Sequence, residues 1–186
     1  MPRAGLSAEA VVDAAARLAD ADGGLDQLTL ARVAAAVGVR TPSLYSHVGG
    51  LDDLRRRLAV RGAAELAATL RDAAVGKARG DALRAAADAL RAYALAHPAL
   101  YAAAQRAPEP GDAEAVAAAT AAVEVFVALL AGYGLEGEEA IHATRAVRSA
   151  IHGFVAIEAG GGFGMAESVD ESFARMVAML DLGLRG

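Results

Sequence analysis

Alanine supplies roughly a quarter of this chain while strand-forming Ile, Tyr and Phe are sparse, and that imbalance restricts the fold more than any other feature. Alanine loses no side-chain entropy in a helix and lets helices pack at close range. The expected fold is all-α, and the punctuation of the sequence divides it into about nine helices. Ser7 caps the first, residues 7–22, with Val11, Val12, Ala15, Leu18 and Ala19 on one face and Gly23-Gly24 as its stop. Thr29 caps a second over 30–37, Gly38 turns the chain, and Thr41 caps a third over 41–48 with Pro42 at its first position. Further helices are expected over 51–75, 80–97, 98–105, 112–132 and 137–159. A Ser168/Glu171 capping box opens the last, 168–184, which carries Phe173, Met176, Val177, Leu180 and Leu184 on one stripe.

Composition narrows the function. The chain has no cysteine, which excludes disulfides, thiol catalysis and Cys-based zinc sites and suits a reducing, cytoplasmic setting. The opening MPRAGLSAEA lacks the apolar run of a signal peptide. Residues 113–134 form the only membrane candidate, and Glu114 and Glu124 within it favour a buried helix of a protein that does not enter a membrane. The net charge of −5 is unevenly placed: residues 1–61 hold eight Arg against seven acids, and residues 62–186 hold ten cations against sixteen acids. A nearly neutral head fits nucleic-acid binding through a few placed phosphate contacts, not a broad basic coat.

Residues 28–50 carry the most information. Leu30, Val33, Val37 and Leu44 are spaced to form a small core between two short helices and the first, with Ala34 at the crossing and Gly38 in the turn. A helix-turn-helix of this kind would aim its second helix at a DNA major groove. That helix presents Arg40, Thr41, Pro42, Ser43, Tyr45, Ser46 and His47, none committed to a core role. Arg40 and Ser43 suit base edges, and Tyr45 and His47 suit phosphates, with Thr29 opening the preceding helix. By spacing alone the segment also reads as the three-helix corner of an ordinary bundle.

Ala14-Ala15 with Leu18, Gly23-Gly24, Leu28-Thr29, Val33-Ala34, Gly38-Val39, Leu44-Tyr45 and His47-Val48 resemble the N-terminal domain of TetR-type transcriptional regulators over about the first 55 residues. The remainder is similar to a TetR subfamily known for a Trp-His-Gly motif, through RAYALAHPALY (91–101), Ile151-His152-Gly153-Phe154 and ESFARMV (171–177), with Ile151 in place of the tryptophan. The resemblance implies a helix-turn-helix domain over 1–50 and a ligand-binding and dimerisation domain over 51–186. It implies a homodimeric repressor on a near-palindromic double-stranded operator, released by a small molecule and needing no cofactor. The dimer interface would be a four-helix bundle of the last two helices with Phe173, Val177 and Leu180 buried in it. Many family members place a lysine where this chain has Leu51, so one phosphate contact is missing; Arg55, Arg56 and Arg57 stand close enough to compensate or to form a solvated face.

Other residues suggest less. His97, His142 and His152 are too widely spaced for a helical metal site, so no metal is expected. Gly160 to Gly164 follow a helix and lack the Lys-Ser/Thr of a phosphate loop. Tyr101, Phe126, His152 and Phe154 are the candidates for lining a ligand cavity, against a core role for each. A helical-bundle enzyme finds no nucleophile or paired carboxylates here. A ligand-binding protein that kept the fold and lost DNA binding stays open, given Leu51 and the acidic balance.

Overall fold

The computed structural model describes residues 6–21 and 24–186, so the expected stop at Gly23 and the helix end at Asp22 lie outside the described residues. Among those described there are eight α-helices, two 3-10 helices and no strand. They are α1 (Ala8–Ala21), a 3-10 turn (Leu25–Gln27), α2 (Leu30–Ala36), a 3-10 helix (Thr41–Ser46), α3 (Leu51–Ala74), α4 (Arg79–Ala96), α5 (Pro98–Ala104), α6 (Ala113–Ala131), α7 (Gly137–Ala159) and α8 (Val169–Leu184). The nine expected helices are present in order. The turn at Leu25–Gln27 is an addition.

Two compact units share this chain. The first takes Met1–Ala63 and His97–Ala119, and the second Ala64–Ala96 and Thr120–Gly186. In the first, Val11, Val12, Ala15 and Ala19 of α1 are buried as the periodicity requires, with Leu18 half-buried. Ser7 accepts the Ala10 N–H at 3.1 Å and Thr29 the Arg32 N–H at 3.3 Å, so both caps form. Asp20 reaches the Ala99 N–H at the start of α5 at 2.7 Å, satisfying a donor that Pro98 leaves near a helix start.

Gly62 allows a close approach in this unit. A Cβ there would lie 2.3 Å from the Leu100 carbonyl oxygen, so α3 and α5 meet backbone to backbone.

In the second unit α4 packs on α7 and α8, and these two on each other. Phe154, Phe163 and Phe173 cluster, with ring centroids 4.7 Å and 5.1 Å from Phe154. The Arg91 guanidinium stands 4.9 Å over Phe173 while its ion pairs run to Glu158 and Asp170, tying the ends of three helices together. Ser168 accepts the Glu171 N–H at 3.2 Å. The reciprocal half of that capping box is diverted, because the Glu171 carboxylate takes Arg175 at 2.8 Å instead.

The expectation of a buried helix near 113–134 does not hold. α6 is long and apolar enough to cross a membrane by length and composition, yet only 17% of its most apolar window is buried, and Val116 is exposed. Its inward face is narrow: Ala115, Ala122, Phe126, Leu129 and Leu130 are buried, and alanine, Thr120 and Glu124 fill much of the rest.

Candidate functional site

The helix-turn-helix is built from its turn outward. Gly38 adopts φ +74°, a left-handed conformation that costs a side-chain-bearing residue energy, and it lets the Val39 N–H reach back to the Ala34 carbonyl at 2.9 Å. Val33, Ala34 and Leu44 are fully buried beneath this turn, while Leu30 and Val37 are only half-buried. Leu44 and Val48, four residues apart, anchor the recognition segment from below.

That segment is tighter than expected. Thr41–Ser46 is a 3-10 helix, with the His47 N–H bonded to the Leu44 carbonyl at 2.8 Å. Arg40, not Thr41, is its N-cap residue, and no side chain caps it; Pro42 near the start fixes φ and removes one donor that would otherwise need a partner. The geometry leaves Arg40, Pro42, Ser43, Tyr45 and Ser46 exposed and Thr41 and His47 half-buried. Tyr45 is 61% exposed, the most exposed aromatic among the described residues. An isolated tyrosine has no reason from packing to stand so far out of a well-packed unit. Ser46 donates to the Ser43 carbonyl at 2.8 Å, which leaves its oxygen free to accept.

Beyond Gly50 the chain turns acidic. Leu51 is half-buried, Asp52 is fully exposed, and Asp53 accepts the Gly49 N–H at 2.8 Å and pairs with Arg57 at 2.9 Å. Burial opposes ionisation of Asp53, but the bonds from Gly49 and Arg57 outweigh it and draw the carboxyl below its ordinary value. A phosphate approaching this helix start therefore meets carboxylates where a lysine would have helped.

The three following arginines do not stand as a free basic face. Arg56 donates to both oxygens of Asp112, one at 2.7 Å, and to Glu114 at 2.7 Å. This guanidinium holds Asp112 well below the usual carboxylate range, and the Ala115 N–H adds to the effect. Arg57 is taken by Asp53. Arg55 is held loosely, by the Leu25 carbonyl at 3.5 Å and by Asp52 at 3.9 Å. The partners of Arg56 lie more than fifty residues downstream, so nothing local in the sequence announces them.

The four expected cavity residues are not brought together. Tyr101 is buried in the first unit; Phe126, His152 and Phe154 belong to the second, where Phe126 is buried, Phe154 is half-buried in the aromatic cluster and His152 is exposed. A cavity of about 440 Å³ lies wholly in the first unit, and none of the four lines it. Phe173, Val177 and Leu180 are the residues expected at a dimer interface. Phe173 and Val177 are 1% and 3% exposed in the single chain, so their side chains are already committed inside it, and Leu180 is half-buried. The exposed large apolar side chains on that helix are Met179 and Leu182.

An all-helical chain whose buried Leu44 and Val48 hold an exposed polar segment beside a Gly38 turn has the build of a helix-turn-helix regulator. A family model described as "Tetracyclin repressor-like, C-terminal domain" matches residues 83–180. An uncharacterised HTH-type transcriptional regulator of Mycobacterium tuberculosis is 39% identical over 180 residues, 96% of this chain and 82% of that protein. In fold the chain is similar to a protein of unknown function from Rhodococcus sp. RHA1, at TM-score 0.83 and 24% identity with both chains fully covered. It is also similar to a singly substituted form of TetR from Acinetobacter baumannii AYE, solved in complex with minocycline, at TM-score 0.72 and 22% identity over 98% of this chain and 99% of that one.

The chain belongs to the TetR family of transcriptional regulators. Members of that family are regulators, not enzymes; they bind DNA operators, dimerise and bind small-molecule ligands.

Proposed function

We propose that this chain acts as a cytoplasmic homodimeric repressor that holds a near-palindromic double-stranded operator and lets it go when a small molecule binds. The observation that carries this reading is the exposed Tyr45 on a segment fixed from below by buried Leu44 and Val48. Residues 1–50 serve as the DNA-binding domain, with Thr29, Arg40, Thr41, Pro42, Ser43, Tyr45, Ser46 and His47 at the groove. Residues 51–186 serve ligand binding and dimerisation. Two heads related by a twofold axis would meet half-sites in successive major grooves, so a ligand that changes their separation breaks simultaneous engagement and with it most of the affinity.

The dimer interface is assigned to α7 and α8, with Met179, Leu182, Ile157 and Gly153 in place of Phe173 and Val177 as its contacts. Met179, Leu182 and Ile157 are exposed in the single chain, and a Cβ on Gly153 would meet nothing within 4 Å. A mid-helix glycine costs about 0.5–1 kcal/mol relative to alanine, and since the chain itself gives it no reason to be small, a closely approaching partner helix does. The segment Ile151-His152-Gly153-Phe154 also carries the resemblance to the Trp-His-Gly subfamily, with buried Ile151 at the tryptophan position.

Operator retention tests the reading. Tyr45→Ala with His47→Ala should abolish the shifted band in a gel-shift assay against genomic fragments, and the wild-type shift should weaken steeply as salt rises. Undiminished retention by the double variant would remove these residues from the interface. A second reading, a family member that has lost DNA binding, is favoured by Leu51, the exposed Asp52 and the pairing of Arg56 and Arg57; a wild-type protein with no salt-dependent shift would establish it.

A further inference from the structure

α6 turns an apolar side to solvent. The outward face of a surface helix ordinarily carries charge, as α4 does with exposed Asp81, Arg84 and Asp88. α6 has two charged residues in its nineteen, Glu114 and Glu124, and no cation. Its other exposed positions are Ala113, Val116, Ala117, Thr120, Ala128 and Ala131. Helical phase puts these on one side of the helix along its whole length, opposite buried Ala115, Ala122 and Phe126.

The order of residues on this side reads alike from both ends. Ala113 and Ala131 stand nine residues either side of Ala122, Val116 and Val127 six and five, Ala117 and Ala128 five and six, and Thr120 and Glu124 two and two. Two copies laid antiparallel about a twofold axis at Ala122 therefore set Ala113 against Ala131, Val116 against half-buried Val127 and Ala117 against Ala128, each twice. Where Thr120 meets Glu124 of the second copy, its hydroxyl can donate to the carboxylate. The charges at the helix ends agree with this direction. Glu114, with two-thirds of its side chain exposed, marks the N-terminal end. At the other end the Arg79 guanidinium donates to the Gly132 carbonyl at 3.0 Å and pairs with no carboxylate among the described residues. An antiparallel pair brings the Glu114 end of one copy to the Arg79 end of the other and opposes the two helix dipoles, whereas a parallel pair would set like ends together.

We propose that α6 is a second self-association surface, occupied by α6 of another copy in this antiparallel register and distinct from α7 and α8. Its footprint sets its strength. Nineteen residues rising about 1.5 Å each make a contact strip about 28 Å long and about 10 Å wide, so the pair buries about 600 Å², well below the roughly 1,200 Å² at which stable complexes begin. The pairing is therefore weak in solution. It adds to the assembly at submillimolar concentration, or where DNA holds two molecules side by side and raises their effective concentration. At micromolar concentration light scattering sees the α7 and α8 assembly alone.

Sedimentation equilibrium of the full-length protein, from micromolar to submillimolar concentration, tests the surface. The average mass should rise above its micromolar value. Ala117→Arg, at an exposed position, would bury a cation against Ala128 of the second copy and should weaken the association about tenfold. Adding Ala128→Glu supplies a carboxylate across the twofold axis and should restore it, although the two positions are three turns apart on one helix and cannot reach each other within a chain. That recovery reads the register, and it would not follow if Ala117→Arg had merely damaged the fold. A mass that stays constant over the range, association undiminished by Ala117→Arg, or no recovery in the double variant would each overturn the proposal. So would binding of the wild type to phosphatidylglycerol vesicles that Ala117→Arg abolishes, since that gives the face to lipid. The assignment of α7 and α8 stands or falls separately: in Gly153→Leu protein the series runs from one chain to two, and the α6 variants should change it in the same way.

Discussion

Gly62→Ala measures how tightly α3 and α5 are joined. On helix propensity alone the change should stabilise, since alanine in a helix interior is better than glycine by about 0.5–1 kcal/mol. The new Cβ would, however, sit 2.3 Å from the Leu100 oxygen, 3.0 Å from its carbonyl carbon and 3.4 Å from the Ala104 Cβ. Ordinary contact requires about 1 Å more, and the obstructing atom is backbone, so no rotamer change relieves it. Overpacking of this kind costs about 1–3 kcal/mol. The clash wins by about 1 kcal/mol, which lowers Tm by roughly 2–4 °C for a chain of this size. Ala68→Gly, at an exposed site on the same helix, supplies the reference by costing only propensity. Both variants should melt below wild type in calorimetry at fixed protein concentration, although one adds a methyl group and the other removes one. A higher Tm for Gly62→Ala would show that α3 and α5 are not in backbone contact.

Leu51→Lys restores a cation at the start of α3; anisotropy titrations with operator should show tighter binding and a salt dependence steeper by about 0.9 in log–log slope, the value of one phosphate. An unchanged slope would mean that this helix start does not face the backbone of DNA. Asp53 has a folded pKa below its ordinary 3.8, so its contribution to stability is present above about pH 4 and disappears as pH falls through the folded value. Urea unfolding should therefore find Asp53→Asn weaker than wild type at pH 7 and the gap closing in acid; a constant gap would assign the loss to something other than the charge. Gly153→Leu should fit within the single chain, where the site is open, and reduce the mass seen by light scattering to that of a monomer. A persisting dimer mass would place the interface elsewhere.

Much of the first fifty residues was legible because their structure is set locally. Ser7 and Thr29 act as caps, Gly38 takes the positive φ, and Val33, Ala34 and Leu44 are buried, since each follows from a requirement within one or two turns of chain. Thr41 fails as a cap for an equally local reason: the segment closes as a 3-10 helix from Arg40, whose carbonyl accepts the Ser43 N–H at 2.9 Å. The cavity was not legible. Aromatic residues were the natural candidates for a ligand site, yet Tyr101 and Phe126 serve as core, and the space that exists is walled by alanines whose sequence signal is only helix propensity.

Three residues mark where the sequence stops being sufficient. Phe173 and Val177 lie on an apolar stripe that periodicity finds correctly, but a stripe records only that a face is covered, not whether its own chain or a second copy covers it; the tertiary structure gives it to the same chain. Arg56 has the same history with charge. Its neighbours Asp52, Asp53 and Arg57 are visible in the sequence, whereas Asp112 and Glu114 meet it only once α6 is folded beside α3. The sequence alone determined the order of the helices, the caps at Ser7, Thr29 and Ser168 and the turn at Gly38 before Tyr45, because these depend on residues a few positions apart. The tertiary structure decided which apolar faces remain open, which arginines are free and where a ligand can fit, because those depend on contacts that no local spacing encodes.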